Sequence, residues 1–316
     1  LQRQVYTFTY DITQTIFDNE PGQTIGESLQ FFSDLETQLQ QKSDWKLETL
    51  IKRHIEIMND RLEGKSNGVP SGFKDLDYML GNGFQRKDLV IIGARPSVGK
   101  TSFSLTLAYN AAKQGYKVLF ITLEMDEQEV FDRLVAFETK IPVTTIIRGK
   151  VNEDILIKGY NSLKKLPLLI LHLAKATSGD IHSVASKYKY LYGLDMLIVD
   201  YLGYLSDRSD DEVNQLGRIS KGLKTTANLL DCVVIAPHQL NRSIEKRAEK
   251  KKEVPLLSDL RDSGHIEQDA DLVMFLNRDT LGQNSELTTL RIGKHRTGST
   301  GIIDLHFNSL TTKFEI

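Results

Sequence analysis

The stretch that decides the fold is Ala94-Arg95-Pro96-Ser97-Val98-Gly99-Lys100-Thr101, between the apolar run 89–93 and a helix-like segment. Gly-Lys-Thr in this context is typical of a phosphate-binding loop, because backbone N–H groups and the positive end of the helix attract anions. The lysine of such a loop contacts the β- and γ-phosphates, and the next hydroxyl binds Mg²⁺. We therefore predict that residues 94–101 bind a nucleotide, with Lys100 on its phosphates and Thr101 on Mg²⁺.

The match to this loop pattern has one departure. The usual pattern begins with glycine, and here that position is Ala94, which an alanine can occupy if its φ is negative. The alternative is a surface turn that happens to contain Gly-Lys-Thr. The apolar run before the loop and the helical pattern after it favour the phosphate-binding interpretation.

Composition and charge restrict the class of protein. The 316 residues are 40% hydrophobic and 26% charged, as in ordinary globular proteins. A net charge of −2 argues against a general polycationic nucleic-acid binder, so any nucleic-acid contact must come from a local cluster. The sequence has no apolar run of 18 residues and no signal-peptide pattern, which predicts a cytoplasmic protein without a membrane partner. The single cysteine, Cys232, lies in an apolar run where a packed core thiol is expected.

The organisation of the chain changes near residue 66. Apolar residues between Leu47 and Leu62 approximate one face of a helix that ends at Gly64, and a linker-like stretch follows. This helix either folds back on its own domain or docks on a neighbour. We predict a domain boundary near residue 66, with residues 67–316 forming one larger domain. The absence of an initial Met suggests a fragment that lacks an N-terminal part.

From Ser71 onward, apolar strand-like runs alternate with helical patterns. Continuous apolar strands separated by helices predict an α/β fold with a mostly parallel sheet covered on both faces. A short antiparallel extension is expected at the C-terminus. The predicted runs are Leu89–Gly93, Lys117–Leu123, Leu168–Leu173, Met196–Asp200, Cys232–Ala236 and Leu272–Asn277, then Thr288–Lys294, Gly301–Phe307 and Thr312–Ile316.

Three polar side chains follow strands of this predicted sheet. Glu124, Asp200 and Gln239 each come at or just after a strand end, and carboxyl ends of parallel strands meet at one edge, beside the phosphate loop. Hydrolysis of a γ-phosphate needs a carboxylate that polarises water, an acid that holds the Mg²⁺ shell and a polar sensor of the phosphate. We assign these roles to Glu124, Asp200 and Gln239 in that order, with Mg²⁺ held by Thr101 and, through water, by Asp200. Singly, the same residues fit a helix N-terminal charge, a strand-end cap and a loop amide.

From Gly68 to Ile316, the chain resembles the replicative DnaB-type hexameric helicases, which have a RecA-like ATPase core. The resemblance covers about four fifths of the chain and depends on the order and spacing of several motifs. Besides residues 94–101, these are Gly72-Phe73 with Leu76-Asp77, Gly83-Phe84-Gln85-Arg86 with Asp88-Leu89, Leu123-Glu124-Met125, Ile198-Val199-Asp200-Tyr201-Leu202, Gln239-Leu240-Asn241-Arg242, Ser258-Asp259-Leu260-Arg261-Asp262-Ser263-Gly264, Ile266-Glu267-Gln268-Asp269-Ala270-Asp271 and Lys294-His295-Arg296. Residues 1–66 are loosely similar to the end of that family's N-terminal helical domain and its linker helix, and the resemblance implies the same role here.

The resemblance implies a RecA-like P-loop fold and an activity. A homo-hexameric ring would hydrolyse ATP with Mg²⁺, move 5′ to 3′ on single-stranded DNA and unwind duplex DNA at the replication fork. A primase and a helicase loader are expected as partners. The alternatives are a recombination ATPase of the RecA or RadA kind, which shares the core chemistry, and a nucleotide switch without motor function. Glu124 argues against the switch, since a switch needs no hydrolytic base.

The resemblance also implies roles for residues near the C-terminus. Arg296 is similar to the arginine finger that reaches the ATP site of a neighbouring subunit, and Lys294 to its companion. Without the resemblance, both would be assigned to a solvated strand. Arg261, Asp262 and Gly264 are similar to the channel loop that holds single-strand phosphates. His295 and His238 stand where the family often has Gln and Ser, which leaves the local hydrogen bonding open.

Overall fold

The computed structural model describes residues 7–10, 12–13, 46–63, 68–207, 212–240, 255–257, 264–278 and 285–315, with single residues or short groups between 24 and 35. Within these residues, nine strands form one sheet in the order β3-β2-β4-β5-β1-β6-β7-β8-β9. The strands are β1 Leu89–Ala94, β2 Val118–Thr122, β3 Leu168–His172, β4 Met196–Asp200, β5 Val233–Gln239, β6 Leu272–Arg278, β7 Leu287–His295, β8 Gly301–Asn308 and β9 Lys313–Glu315.

Strands β1 to β6 pair in parallel, and β6 to β9 pair as an antiparallel extension. The prediction of an α/β fold with a mostly parallel sheet is therefore confirmed, including the antiparallel strands at its C-terminal end. The described helices are α1 Leu47–Leu62, α2 Lys74–Met79, α3 Lys100–Lys113, α4 Glu127–Thr139, α5 Val143–Ile147, α6 Glu153–Leu163, α7 Ser178–Tyr192, α8 Glu212–Leu229 and α9 Gly264–Asp269.

Strands β1, β2, β4, β5 and β6 are buried on both faces, which explains their continuous apolar runs, whereas buried and exposed residues alternate along β8. In β1, Val90 and Ile92 belong to a core shared with α3 and α4, whereas Leu89 and Ile91 belong to a second core shared with α7 and α8. Cys232 is buried in the second core, as its apolar neighbours predict. No helix among the described residues is long and apolar enough to cross a bilayer.

The strand register places the functional segments at defined edges. Gln239 lies beside Ala94 at the end of β1, and Asp200 lies beside Thr122 at the end of β2. The carboxyl ends of β1, β2, β4, β5 and β6 therefore form one edge, which we call the carboxyl edge. The opposite edge, where β1 begins at Leu89, we call the amino edge.

Helix α1 lies close to its predicted span, but none of its side chains belongs to a hydrophobic core. No side chain of α1 is buried, and Ile51 and Ile55 are about half exposed. Helix α1 ends at Leu62, with its cap at Glu63, rather than at Gly64, which lies outside the described residues. The division of the chain near residue 66 stays a prediction.

Candidate functional site

The phosphate loop joins β1 to α3 through a backbone that only certain residues tolerate. Ser97 has φ +64° and Gly99 has φ +110°, both in the left-handed region. A Cβ on Gly99 would lie 3.3 Å from Cζ of Phe314 in β9, so the site disfavours a side chain by conformation and by space. The resulting turn brings Lys100 to the first position of α3, as the loop motif predicts.

A cationic side chain at the end of β6 binds the backbone of this loop. Arg278 donates from Nε to the carbonyl of Val98 (3.2 Å) and from NH2 to the carbonyl of Ser97 (3.1 Å), and its guanidinium lies 4.0 Å from the ring centroid of Phe307. Arg95 donates to Oδ1 of the adjacent Asn277 at 2.9 Å. These contacts turn loop carbonyls toward β6. Asn277 and Arg278 are not among the predicted site residues, although both lie at or just after a predicted strand end, the same sequence signal that identified Gln239.

The structure brings Lys100 close to the three polar residues at the strand ends. Its Nζ lies 3.5 Å from Oε1 of Gln239. Burial lowers the pKa of Lys100, and the nearby carboxylates of Asp200 and Glu124 oppose that shift. Lys100, Glu124, Asp200 and Gln239 therefore share the carboxyl edge, as the sequence predicts. Their catalytic roles stay predictions.

Asp200 is a buried carboxylate with an unmatched oxygen. Asp200 is 2% exposed, and its Oδ1 has no hydrogen-bond partner among the described residues. Burial raises the pKa of Asp200 to about 6; the neighbouring Thr101 hydroxyl opposes the rise and Glu124 adds to it. Unpaired buried carboxylate oxygens are costly in proteins, whereas Mg²⁺ prefers oxygen ligands. The donor set of Thr101 and Asp200 therefore fits a magnesium ion.

Glu124 and Gln239 differ from Asp200 in being exposed. Glu124 follows β2 directly, and the preceding Leu123 donates its N–H to the carbonyl of Asp200 at 2.7 Å, which joins the ends of β2 and β4. A carboxylate that polarises water must reach solvent, and a phosphate sensor must reach the ligand. Their exposure at this edge is compatible with both assignments.

Two further side chains, those of Arg133 and His238, lie near this edge but are not among the predicted site residues. Arg133 of α4 donates from NH1 to Oγ of Ser102 at 3.0 Å; burial lowers its pKa, and Asp200 opposes the shift. Its helix begins three residues after Glu124, which is the sequence signal for a side chain near the site. Burial and the charge of Lys100 lower the pKa of His238 to about 4, so this imidazole is neutral at neutral pH.

Lys294 and Arg296 lie at the amino edge, away from the phosphate loop. Nζ of Lys294 donates to the carbonyls of Glu267 (2.5 Å) and Ala270 (2.7 Å), at the end of α9. NH1 of Arg296 lies 3.0 Å from Oδ1 of Asp271, whose Oδ2 accepts from the N–H of Leu89. Six residues of β1 span roughly 16 Å, so one chain cannot bring its own Arg296 to its own phosphate loop.

The predicted DNA-contacting residues are only partly described. Arg261 and Asp262 lie outside the described residues, and Gly264 is the first residue of α9. The prediction for all three stays open. Among the described residues, α9 leads directly to Asp271 and β6.

Replacing Asp200 with Asn is expected to stabilise the protein in the absence of Mg²⁺. The folded-state pKa of about 6 exceeds the ordinary value of 3.8, so the folded state binds more protons between these values, and ionisation at higher pH costs stability. Asparagine avoids this cost of up to about 3 kcal/mol. The melting temperature should therefore rise by several degrees at pH 7.5, and the gain should disappear as the pH falls from 6 toward 4.

Thermal unfolding followed by circular dichroism in EDTA, from pH 4 to pH 8, measures this difference. Asp304→Asn, a change of an exposed carboxylate on β8, is the control and should show no comparable gain. A gain for Asp200→Asn that is the same at pH 4.5 and pH 7.5 would contradict the explanation by burial.

Comparison with known proteins gives the family of this chain. Residues 68–316 match the model of the DnaB-like helicase C terminal domain. The chain is 38% identical over 272 residues to the replicative DNA helicase DnaB of Geobacillus stearothermophilus, covering 83% of this chain and 59% of that protein. It is also 38% identical over 284 residues to that of Haemophilus influenzae, covering 85% and 59%. The chain thus spans about three fifths of the length of these curated relatives.

Solved structures agree with this assignment. One of them, described as an ATPase domain, superposes with a TM-score of 0.76 and 33% identity, covering 84% of this chain and 98% of that one. A DnaB-like replicative helicase, described with its interactions with primase, superposes with a TM-score of 0.81 and 31% identity, covering 99% and 75%. On the match over residues 68–316 and these similarities, the chain belongs to the DnaB-like helicase C-terminal domain family.

Proposed function

We propose that this chain is the ATP-hydrolysing motor of a replicative DNA helicase, which moves on single-stranded DNA as a homo-hexameric ring and unwinds duplex DNA. One observation carries the proposal. A phosphate loop with acidic and polar side chains occupies the carboxyl edge, while Arg296 occupies the amino edge of the same sheet. A site divided in this way is complete only where two chains meet.

The proposed ATP site uses the residues of the carboxyl edge. The backbone N–H groups of residues 94–99 and the positive end of α3 bind the phosphates, and Lys100 adds a cationic contact. Thr101 and Asp200 would hold Mg²⁺, which neutralises charge on the phosphates when it is bound. The carbonyls of Ser97 and Val98, which contact Arg278, are directed away from this anion site.

Hydrolysis then depends on three side chains. Glu124 accepts a proton from the attacking water, whose oxygen bonds to the γ-phosphorus as the bond to the β-phosphate oxygen breaks, giving ADP and phosphate. Gln239, beside Lys100, contacts the γ-phosphate and senses its loss. Arg296 of the neighbouring chain stabilises the negative charge of the transferring phosphoryl group.

DNA and protein partners belong to the same proposal. Arg261, Asp262 and Gly264 would hold single-strand phosphates in the channel, through the guanidinium and through backbone N–H groups that do not depend on base sequence. A primase is proposed as a partner because a similar helicase structure is described with its interactions with primase. A helicase loader is proposed from the family resemblance, as is 5′ to 3′ movement.

The test is steady-state ATP hydrolysis against protein concentration, with and without single-stranded DNA. We expect a rate per chain that rises cooperatively with concentration, is stimulated by DNA and is lost in Lys100→Ala. Unwinding of a forked duplex, with rings in electron micrographs, would separate the helicase from a recombination ATPase, which would give filaments and strand exchange. A rate per chain that is constant with concentration and unaffected by DNA would overturn the proposal.

A further inference from the structure

Asp271 holds the residue that is proposed as the arginine finger. It lies between α9 and β6 at the amino edge and is 4% exposed. Its Oδ1 accepts from NH1 of Arg296 at 3.0 Å, and its backbone carbonyl accepts from the N–H of Arg296 at 2.9 Å. One residue thus fixes both the guanidinium and the backbone of Arg296.

The other oxygen of Asp271 is fixed independently of Arg296. Oδ2 lies 2.5 Å from Nζ of Lys224 and accepts from the N–H of Leu89 at 2.9 Å. Lys224 donates also to the carbonyl of Lys87 at 2.8 Å, so the carboxylate is tied to α8 and to the start of β1. These two donors therefore hold Oδ2 in place without Arg296, while Lys224 and Arg296 together face two carboxyls, those of Asp271 and Asp88.

Asp271 and Arg296 differ in exposure, and the exposed Arg296 is the partner that can reach another molecule. The side chain of Asp271 is 6% exposed, whereas that of Arg296 is 61% exposed. Among the described residues, Asp271 accepts from NH1 of Arg296, and a guanidinium carries five N–H donors, so Nε and NH2 offer donors to an anion outside the chain. A long exposed side chain that is held at one end loses less conformational freedom when it binds, which is the advantage of pre-organisation.

We propose that Asp271 is a positioning residue, which pre-orients Arg296 for the nucleotide site of the neighbouring subunit. The inference depends on the proposed function, in which Arg296 acts on a second copy of this chain. Asp271 itself touches neither the nucleotide nor the reacting atoms. Its loss should therefore lower kcat for ATP hydrolysis while leaving KM for ATP near its original value, because the phosphate loop of the same chain is intact.

The variant for the test is Asp271→Asn, since an amide oxygen can still accept from the N–H of Leu89. We expect kcat to fall about 10-fold to 100-fold, the effect of misplacing a catalytic group by about 1 Å. Asp231→Asn is the matched control at the same edge: Asp231 is an exposed partner of Lys87 at 3.7 Å, and this variant should keep the original rate. Loss of activity in Asp271→Asn alone cannot separate positioning from folding, so mixed rings are needed.

Mixed rings distinguish a defect in the finger from a defect in the nucleotide site. Lys100→Ala has a defective phosphate loop and an intact finger, whereas Asp271→Asn has the reverse. Where the finger of a Lys100→Ala chain meets the phosphate loop of an Asp271→Asn chain, the site is intact. We expect this mixture to hydrolyse ATP several-fold faster than either variant alone. A mixture of Asp271→Asn with Arg296→Ala should show no gain, because both have the same defect.

The possible outcomes separate this inference from the proposed function. The mixture of Arg296→Ala with Lys100→Ala is the reference, and its failure to gain activity would overturn the proposed action of the finger between subunits. A gain in that reference combined with an unchanged kcat in Asp271→Asn would overturn the positioning role alone. So would a gain in the reference with none for Asp271→Asn plus Lys100→Ala, since the defect would then lie within the variant's own site or fold.

Discussion

Replacing Glu124 with Gln is expected to lower kcat for DNA-stimulated ATP hydrolysis by roughly 10²-fold to 10⁴-fold, the usual contribution of a general base. The amide keeps the size of the side chain but cannot accept the proton of the attacking water. Binding of ATP should remain close to that of the unchanged protein, because Lys100 and the loop N–H groups are untouched. Single-turnover hydrolysis and equilibrium binding of a fluorescent ATP analogue measure the two properties separately.

The matched control for this change is Glu127→Gln. Glu127 lies three residues further along and accepts from the N–H of His172 at 2.8 Å, a contact that an amide oxygen can retain. Its replacement should leave hydrolysis and unwinding unchanged. If Glu124→Gln hydrolysed ATP and unwound a forked duplex at the original rate, the assignment of Glu124 as the base would be wrong.

Replacing Arg296 with Ala is expected to lower kcat by about 10³-fold to 10⁵-fold, the range associated with a supplied arginine finger. The reason is the loss of a cation that stabilises charge on the transferring phosphoryl group in the neighbouring site. The remaining rate should depend little on protein concentration, because assembly would no longer complete the site. Hydrolysis over a concentration series, together with the mass of the assembled particles, measures this effect.

Arg291→Ala is the control for this second change, since Arg291 is a partly exposed arginine on β7, the strand that Arg296 directly follows. It removes the same charge and should retain hydrolysis. An Arg296→Ala protein that assembles normally and keeps its rate would show that Arg296 has no catalytic role. Lys294 is a weaker candidate than Arg296, because its ammonium already binds two carbonyls at the end of α9.

The strands and the carboxyl edge could be predicted from the sequence because their signals are local. A strand buried on both faces is apolar at every position, as in Leu89–Ala94, and this pattern needs no knowledge of its neighbours. Once the strands are parallel, their carboxyl ends meet. Glu124, Asp200 and Gln239 therefore converge on Lys100 by topology alone.

The contacts that hold the two functional ends could not be predicted, because they join residues that are distant in sequence. Phe314 limits the space at Gly99, and Arg278 supports the carbonyls of Ser97 and Val98. Asp271 meets Arg296 through the pairing of β6 with β7, which contains an irregularity between Val273 and Met274. A pattern of residue types does not specify such a register shift, and an aspartate before a strand has many possible partners.

The separation of the phosphate loop from Arg296 by the length of β1 has an arithmetical consequence for assembly. Under the proposed arrangement each chain gives an arginine in one direction and receives one from the other, a head-to-tail contact. An open row always has one phosphate loop at its end that receives no arginine, however many chains it contains. Closing the row supplies that last loop, so closure adds one complete site without adding a chain.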